Sequence, residues 1–452
     1  MGKKTGAFLL SIGSALVLTF LLREPQFSDS QTYVLFLLFF SIGLWLTEAI
    51  PPFSVGLFIL AFLVFSLGNS YFNSEPQDIA KYVNTFSSSV IWLMLGGFFL
   101  ASALTKTGLD SALFRWTLSI SGVTPRRILM GLMLMTMIAS MLMSNTATTA
   151  MVIAATMPLL TNLGKESGLS KALLVGVPLA ASMGGMGTII GSPPNLIAAG
   201  ALENAGLSID FLGWMLYGAP LAVLFTAAGF LALARIFVKE NHPLSLDFLD
   251  KSSSAGTVAM SKAKTTVVKV VLAVTLLLWM TSSLHHLSVS AVAAIAIVIL
   301  TMTGVVDAND VRGLPWDTLL LVAGGLSLGL ALQETGILNH YAQRITTINL
   351  DQLPLLYIFA FATMLFSNIM SHTASSTVLI PLGMAILPEY NREVALIIGL
   401  ASSSALFLPI STPPNAIAYS TGLLDQKDFR TGGTLIGVLG PAATVLWVLL
   451  CS

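Results

Sequence analysis

Charge and cysteine are what this sequence lacks. Only 9% of its 452 residues are Asp, Glu, Lys or Arg, where an ordinary soluble domain carries roughly 25%. Hydrophobic residues make up 55%, and a water-soluble core of this length could not hide that much apolar surface. The lone Cys451 excludes an internal disulfide framework and a four-cysteine zinc site. Lys plus Arg and Asp plus Glu stand at 21 each, so net charge makes no case for nucleic acid or an acidic partner. No HExxH sequence, buried aspartate pair or Cys/His set occurs in the apolar stretches, so an intramembrane hydrolase would lack its chemistry and no enzyme is expected. What the chain has instead is repeated apolar stretches of about 17 to 20 residues, the length that crosses a hydrocarbon core of about 30 Å. Its solvent is a lipid bilayer.

Met1-Gly2-Lys3-Lys4 and the apolar residues Ala7 to Leu22 resemble a signal peptide, but no small-x-small cleavage site comes before Arg23-Glu24-Pro25. A first transmembrane helix is therefore expected. Gly6 stands where a myristoylation motif needs Ser or Thr. The hydropathy pattern predicts spans at 7–22, 32–50, 53–68, 84–105, 172–205 (interrupted), 212–235, 266–283, 288–305, 315–334, 393–422 (interrupted) and 433–450. Stretches 127–162 and 354–388 each carry a polar break in their middle and read as re-entrant hairpins. The predicted fold class is an all-α polytopic membrane protein of about 11 transmembrane helices plus two hairpins. With the N-terminus cytoplasmic and the C-terminus outside, every Lys and Arg but Arg23, Lys81, Arg344 and Arg392 falls inside, as short cytoplasmic loops require. Counting a hairpin as a full span flips the later loops and spoils this separation; an even number of spans is the alternative. The polar stretch 236–265, with Asn241-His242-Pro243 and Ser252-Ser253-Ser254, reads as a cytoplasmic linker. No organelle-targeting segment is seen, which makes a bacterial cytoplasmic (inner) membrane the expected location.

The chain repeats itself. Met94-Leu95-Gly96-Gly97 through Thr107-Gly108 aligns without gaps on Val322-Ala323-Gly324-Gly325 through Thr335-Gly336, at an offset of 228. Ser144-Asn145-Thr146-Ala147-Thr148-Thr149 recurs as Ser371-His372-Thr373-Ala374-Ser375-Ser376, at 227. Gly191-Ser192-Pro193-Pro194-Asn195 recurs as Ser411-Thr412-Pro413-Pro414-Asn415, at 220. Gly-Gly and Pro-Pro are also ordinary packing and breaking devices in membranes, but three matched landmarks in one order argue for a repeat. The expected organisation is scaffold helices over 1–83, a first repeat over 84–235 (hairpin 127–162, broken helix 172–205), the linker 236–265, and a second repeat over 266–452 (hairpin 354–388, broken helix 393–422). The proposed spans insert the two repeats in opposite directions. Paired, Gly/Pro-interrupted segments in inverted repeats point to a transporter's binding site.

Proline removes a backbone donor and clashes with the preceding turn, so two in succession unwind a helix. Non-helical backbone at membrane depth is tolerated only where it lines a cavity or is buried in protein. At each hairpin tip, carbonyl ends of one arm suit a cation and amide ends of the next suit an anion. Ser, Asn and Thr add hydrogen-bonding groups without a full charge. Glu48, Asp317 and Glu334 lie near helix ends, and neither tip carries Lys or Arg. An anionic substrate would then be held by helix N-termini and hydroxyls, with co-bound cations offsetting its charge.

Trp45-Leu46-Thr47-Glu48-Ala49-Ile50-Pro51, the Ser144-Asn145-Thr146 tip and the two Pro-Pro-Asn breaks together resemble the divalent anion/sodium symporter family, the solute carrier 13 or INDY-type transporters. The resemblance covers nearly the whole chain. It implies a homodimer in which a mobile transport domain moves against a scaffold, elevator-fashion, carrying C4-dicarboxylates such as succinate, malate or fumarate with Na+. Some members take citrate or sulfate, and some exchange dicarboxylates without sodium. Carried over by motif position, the first sodium site comprises Ser140, Ser144, Asn145 and Gly191, and the second Ser367, Met370, His372 and Ser411. Substrate would meet Ser144, Asn145, Thr146, Ser192, Ser371, His372, Thr373 and Thr412. His372 stands where the family's second motif has Asn. Imidazole offers sodium no oxygen, which puts the second site in doubt. His372 would bond within the tip, or carry a proton in place of sodium and imply proton coupling or exchange, or alter the anion preference.

His242, His285, His286 and His340 fall in loops and are expected to be solvated. Met130 to Met143 read as adaptable packing in the first hairpin. Arg115-Trp116, within 109–121, suggests an amphipathic surface helix. A channel is the nearest rival function, since broken helices also build selectivity filters. Arsenite and other anion permeases are a further alternative, disfavoured by the Ser-Asn-Thr tip.

Overall fold

A computed structural model describes residues 2–239, 243, 260–338, 340–341, 351–409 and 411–452. Most of the predicted linker, with His242 and Ser252-Ser253-Ser254, and Arg344 lie outside these residues. Among the described residues there is no strand. The main helices are α1 (Lys3–Leu22), α2 (Asp29–Thr47), α3 (Pro52–Leu67), α4 (Ser89–Lys106), α5 (Leu109–Ser121), α6 (Pro125–Ser140), α7 (Asn145–Leu163), α8 (Gly168–Met186), α9 (Pro193–Asn204), α10 (Phe211–Ile236), α11 (Lys262–Met280), α12 (Val289–Met302), α13 (Trp316–Glu334), α14 (Gln352–Ile369), α15 (His372–Ile386), α16 (Asn391–Ala401), α17 (Pro413–Ser420) and α18 (Gln426–Cys451). Ser and Asp side chains cap many of their N-termini, as unpaired first-turn amides require. Ser28 forms a capping box with Gln31, and Ser88, Ser144, Asp210, Ser288 and Ser371 each accept from an amide of the first turn. Proline opens α3, α6, α9 and α17, where its missing amide costs nothing.

Among the described residues, ten helical segments are long and apolar enough to cross a membrane. Two of the expected spans are shorter: α3 has 16 residues and α12 has 14. Conversely, α7 and α14, arms of the expected hairpins, are long enough to span, so length alone does not tell an arm from a crossing helix. Each hairpin nevertheless begins and ends at the same end of the bundle. Arg126, at the start of α6, donates to the Val238 carbonyl at 3.4 Å, and Gly168, just past α7, packs on the neighbouring Phe237 carbonyl. Gln352 and Glu389 close the second hairpin in the same way at 3.0 Å.

Ion pairs tie the loops together at the two ends. Lys106 bonds Asp307 at 2.7 Å and also Asp310, and its ammonium holds Asp307 down at about 2. Lys165 bonds Asp425 at 2.8 Å at the end where α7 gives way to α8. Lys81 pairs with Glu334 at 2.6 Å at the opposite end. His340 departs from its expected solvation: it is half-buried, 3.0 Å from Glu24 and edge-on to Phe27. His285 is likewise engaged, with the Leu278 carbonyl 2.8 Å from its Nε2. The surface helix expected at 109–121 is α5, with Trp116 exposed.

The order of elements recurs. A helix bearing Gly-Gly, two hairpin arms, a helix that stops at a break, a short helix and a long helix occur in that order from α4 to α10, with the surface helix α5 interposed, and again from α13 to α18. Packing is reciprocal as well: α3 lies along α13, while α12 lies along α4. The contacts are made by the matched glycines. A Cβ on Gly324 would stand 2.4 Å from the backbone of Gly56, and one on Gly96 would stand 2.7 Å from the Ala293 Cβ. Small residues let membrane helices approach this closely, and close approach is what holds them together where water gives no apolar drive. The interior divides in two, a small cluster around α1, α2, α3 and one side of α13, and a large one holding the rest.

Gly324→Ala should force α3 and α13 apart and cost about 1–3 kcal/mol. A lowered thermal midpoint in detergent checks this, with Gly6→Ala, whose added methyl meets nothing within 4 Å, as the neutral control.

Candidate functional site

The two breaks lie in the middle of α8–α9 and α16–α17, and each is held by its Pro-Pro-Asn asparagine. Two consecutive prolines remove two amides and crowd the preceding turn, so α8 ends at Met186 and the chain becomes α-helical again only at Pro193. The freed carbonyls need donors. Asn195, fully buried, supplies two, donating to Gly185 O at 2.8 Å and Thr188 O at 2.7 Å. Asn415 does the same for the second break, donating to Leu408 O at 3.0 Å.

Each hairpin tip is sewn to its break. In the first half, Thr188 Oγ1 donates to the Met141 carbonyl at 2.5 Å, and Ser140 Oγ donates to Asn145 Oδ1 at 2.6 Å. Gly185 leaves room for this: a Cβ there would stand 2.5 Å from Asn145 Oδ1, and one on Gly191 would stand 2.6 Å from Gly185 O. Ser140, Asn145 and Gly191, expected together, are thus gathered in one cleft. Ser144 caps α7, accepting from Ala147 N at 3.1 Å, and Thr146 is exposed beside it. Ser192 is buried at the start of α9.

The second cleft is built differently. Ser371 caps α15, accepting from Ala374 N at 3.1 Å, and Thr412 caps α17, accepting from Asn415 N at 3.2 Å. Ser367 Oγ and Ser375 Oγ are 2.5 Å apart. Ser411 Oγ donates to Asn368 Oδ1 at 2.8 Å, and the same oxygen accepts from Phe407 N at 3.1 Å. Met370 and Thr373 are buried, while His372 is half-buried with Nε2 enclosed and without a hydrogen-bond partner among the described residues. None of these hydrogen bonds among the described residues involves a charged side chain.

The short helix after each break crosses into the other half. α9 packs against α15 and α16, while α17 packs against α7 and α8. The two clefts are therefore interlocked. A cavity of ≈ 130 Å³ between α9, α13 and α15, lined by Asn204, Gln333, Asn391 and apolar residues, lies apart from them, since no tip or break residue named above lines it.

Sequence reasoning left five polar residues of these clefts without a role: Thr188, Asn195, Asn368, Ser375 and Asn415. The asparagines of the breaks were visible as the third residue of each Pro-Pro-Asn. Asn368 had no such signal, because Met141 occupies the matching place in the first half.

A sequence profile described as "Citrate transporter" (CitMHS) matches residues 42–395, most of the chain. The chain belongs to that family. It is 28% identical over 468 residues to a sodium-dependent dicarboxylate transporter, SdcS, of Staphylococcus saprophyticus, an alignment that covers 96% of this chain and 88% of the relative. To SdcS of Staphylococcus aureus it is 24% identical over 470 residues, again 96% and 88%. An uncharacterized transporter of Haemophilus influenzae is 29% identical over 443 residues, 93% of this chain and 91% of that one. These matches agree with the symporter resemblance and make this chain a member of a membrane transporter family. Among solved structures, Neisseria gonorrhoeae MtrF, described as illuminating a class of antimetabolite efflux pumps, superposes with a TM-score of 0.59 at 12% identity, covering 90% of this chain and 96% of its own. At that identity the likeness is one of fold.

Asn195→Ala would leave two buried carbonyls without donors, at about 1–3 kcal/mol for each orphaned group. Its thermal midpoint should fall further than that of Asn415→Ala, which frees one such carbonyl; equal shifts would contradict the bonding described.

Proposed function

We propose that this chain is a secondary transporter that carries C4-dicarboxylates, such as succinate, malate or fumarate, across the bacterial inner membrane together with sodium. The observation that carries this reading is the pair of interlocked, uncharged clefts, each made of a capped hairpin tip against a Pro-broken helix. The names of the SdcS relatives, which match nearly the whole chain, supply the substrate class and the ion.

Each tip serine accepts an amide hydrogen and so keeps its own hydroxyl hydrogen to donate. A substrate carboxylate at the N-terminus of α7 would take that hydrogen and the unpaired amides of the first turn, and the second carboxylate would do likewise at α15. Asn145 and Thr146, and His372 and Thr373, follow the tip serines in sequence, and Ser192 and Thr412 stand at the starts of α9 and α17. Two anionic ends on two helix N-termini suit a short dicarboxylate. Sodium would take oxygens of Ser140, Ser144, Asn145 and Gly191 in the first cleft. Asn195 Oδ1, buried and without a hydrogen-bond partner among the described residues, adds a further one.

The reciprocal packing of α3 on α13 and α12 on α4 supports two repeats inserted in opposite directions. With the basic residues counted as above, the N-terminus would be cytoplasmic and the C-terminus outside, and both hairpins re-entrant. Transport would proceed by an elevator movement of the clefts against the scaffold helices of a homodimer.

One observation favours a second reading. His372 stands where the resemblance has Asn, and a proton on its imidazole would supply the charge that the resemblance gives to sodium, which would make the protein a proton-coupled carrier or a sodium-independent exchanger. Proteoliposomes offered succinate, malate, 2-oxoglutarate, citrate and sulfate, with and without sodium, separate the two. Sodium-stimulated, saturable uptake of the C4 acids is expected, and single-channel currents would overturn a carrier altogether. Ser144→Ala and Ser371→Ala should each lower uptake about tenfold, the effect of one lost hydrogen bond to a charged group. His372→Asn should leave the sodium requirement in place; if the variant gains a requirement that the natural chain lacks, the histidine reading is the right one.

A further inference from the structure

The two clefts are unequal in a way that bears on how many cations the protein takes. Matching the tips at the offset of 227 pairs Ser140 with Ser367, Met141 with Asn368, Asn145 with His372 and Thr148 with Ser375. In the first cleft Met141 contributes only a backbone carbonyl, which accepts from Thr188. In the second, Asn368 reaches across with its side chain. Its Oδ1 accepts from Phe407 N and Ser411 Oγ, while its Nδ2 is anchored on the Met364 carbonyl of its own helix at 2.9 Å. The carboxamide is buried, and it joins hairpin to break directly.

The hydroxyls that the family pattern would give to a second sodium are used up by this arrangement. Ser411 spends its hydrogen on Asn368 and also accepts from Leu408 N at 3.0 Å. Ser375 donates to the His372 carbonyl at 3.0 Å, so the hydrogen between the two serines comes from Ser367. Position 372 offers nitrogen and no side-chain oxygen. In the first cleft Ser140 is likewise bonded to Asn145, but two further oxygens are left over. Thr148 Oγ1, the counterpart of Ser375, and Asn195 Oδ1 are buried without a hydrogen-bond partner among the described residues. Buried oxygens left without any partner invite a hard cation, whereas Ser411, which both donates and accepts, and position 372, which has no side-chain oxygen, offer it less.

We infer that Asn368 takes the place of a cation in the second cleft, bridging hairpin to break with its carboxamide, so that this protein binds one sodium ion, in the first cleft only. The inference rests on the sodium-coupled reading above. Asn368 is a positioning residue, acting on substrate through Ser411 and the break.

The test is equilibrium binding of radioactive sodium to the purified full chain, with succinate uptake in proteoliposomes alongside. One ion per protomer is expected, with a Hill coefficient of about one for sodium-driven uptake. Ser140→Ala should abolish that binding. Asn368→Met, which copies the first half's residue, should keep sodium binding, a control for folding, yet lose uptake at least about tenfold. Ser411→Ala, which cuts the other end of the bridge, should move uptake the same way. His372→Asn should still bind one ion, because Asn368 remains in place. Two ions in the natural chain, or a second ion gained by His372→Asn alone, would overturn the inference. Should no sodium bind while succinate still exchanges, the sodium coupling proposed above fails; the bridge then stands or falls on whether Asn368→Met abolishes that exchange.

Discussion

A peptide group inside a bilayer has no water to turn to, and this constraint shapes the rest of the structure. Two helices of this chain are broken near their middles by Pro-Pro, which leaves carbonyls without partners at a depth where each would cost several kcal/mol. The chain meets that cost with side chains: Asn195 and Asn415, just beyond each break, donate to its carbonyls, while across the hairpin boundary Thr188 donates to the Met141 carbonyl and Asn368 accepts from the Phe407 amide. The hairpins are therefore part of what makes the broken helices permissible. A site of exposed backbone dipoles and hydroxyls is the by-product, and such a site can hold ions of both signs without a fixed charge in the membrane.

The second structural theme is exchange between halves. α3 with α13, and α12 with α4, pack through matched glycines, while α9 and α17 each cross to the opposite hairpin. Neither half could bury its own site alone, because each completes the other's wall. Such an arrangement couples the clefts mechanically, since a shift of one hairpin presses on the short helix of the other half. The Lys165–Asp425 pair adds a polar tie between the halves at one end, where solvent screening keeps its contribution small.

Much of this was legible in the sequence because the decisive residues act locally. Proline pairs break helices wherever they stand, Ser and Asp cap the turn that follows, and glycine pairs recur where two helices touch. Helix boundaries accordingly fall close to expectation, from Lys3–Leu22 to Phe211–Ile236. What was hidden depends on distance in space. Hydropathy could not show that α3 and α12 stop short, or that α7 and α14 are as long as crossing helices, because an apolar residue reads alike in an arm and in a span. The fall of the offset from 227 to 220 is the net of shorter second-half helices, 15 residues in α15 against 19 in α7 and 11 in α16 against 19 in α8, and a longer second break, 402–412 against 187–192. Asn368 escaped notice for a related reason: its partners, Phe407 and Ser411, lie some forty residues away, and its counterpart Met141 is apolar.

That last residue shows what a repeat protein can change without losing its architecture. The backbone of the two clefts must stay alike, since both breaks need the same donors and the same close helix contacts. The side chains facing into them are under no such obligation. In the first cleft the oxygens of Thr148 and Asn195 are unpaired among the described residues, whereas in the second Ser367 and Ser375 are closed on one another and Ser411 on Asn368. One half therefore keeps a capacity for cation chemistry that the other has exchanged for internal hydrogen bonds. A neutral bridge holds its geometry whether or not an ion is present, while an ion-filled cleft changes state when the ion leaves. Dependence on an ion, in this architecture, is set by which hydroxyls remain free.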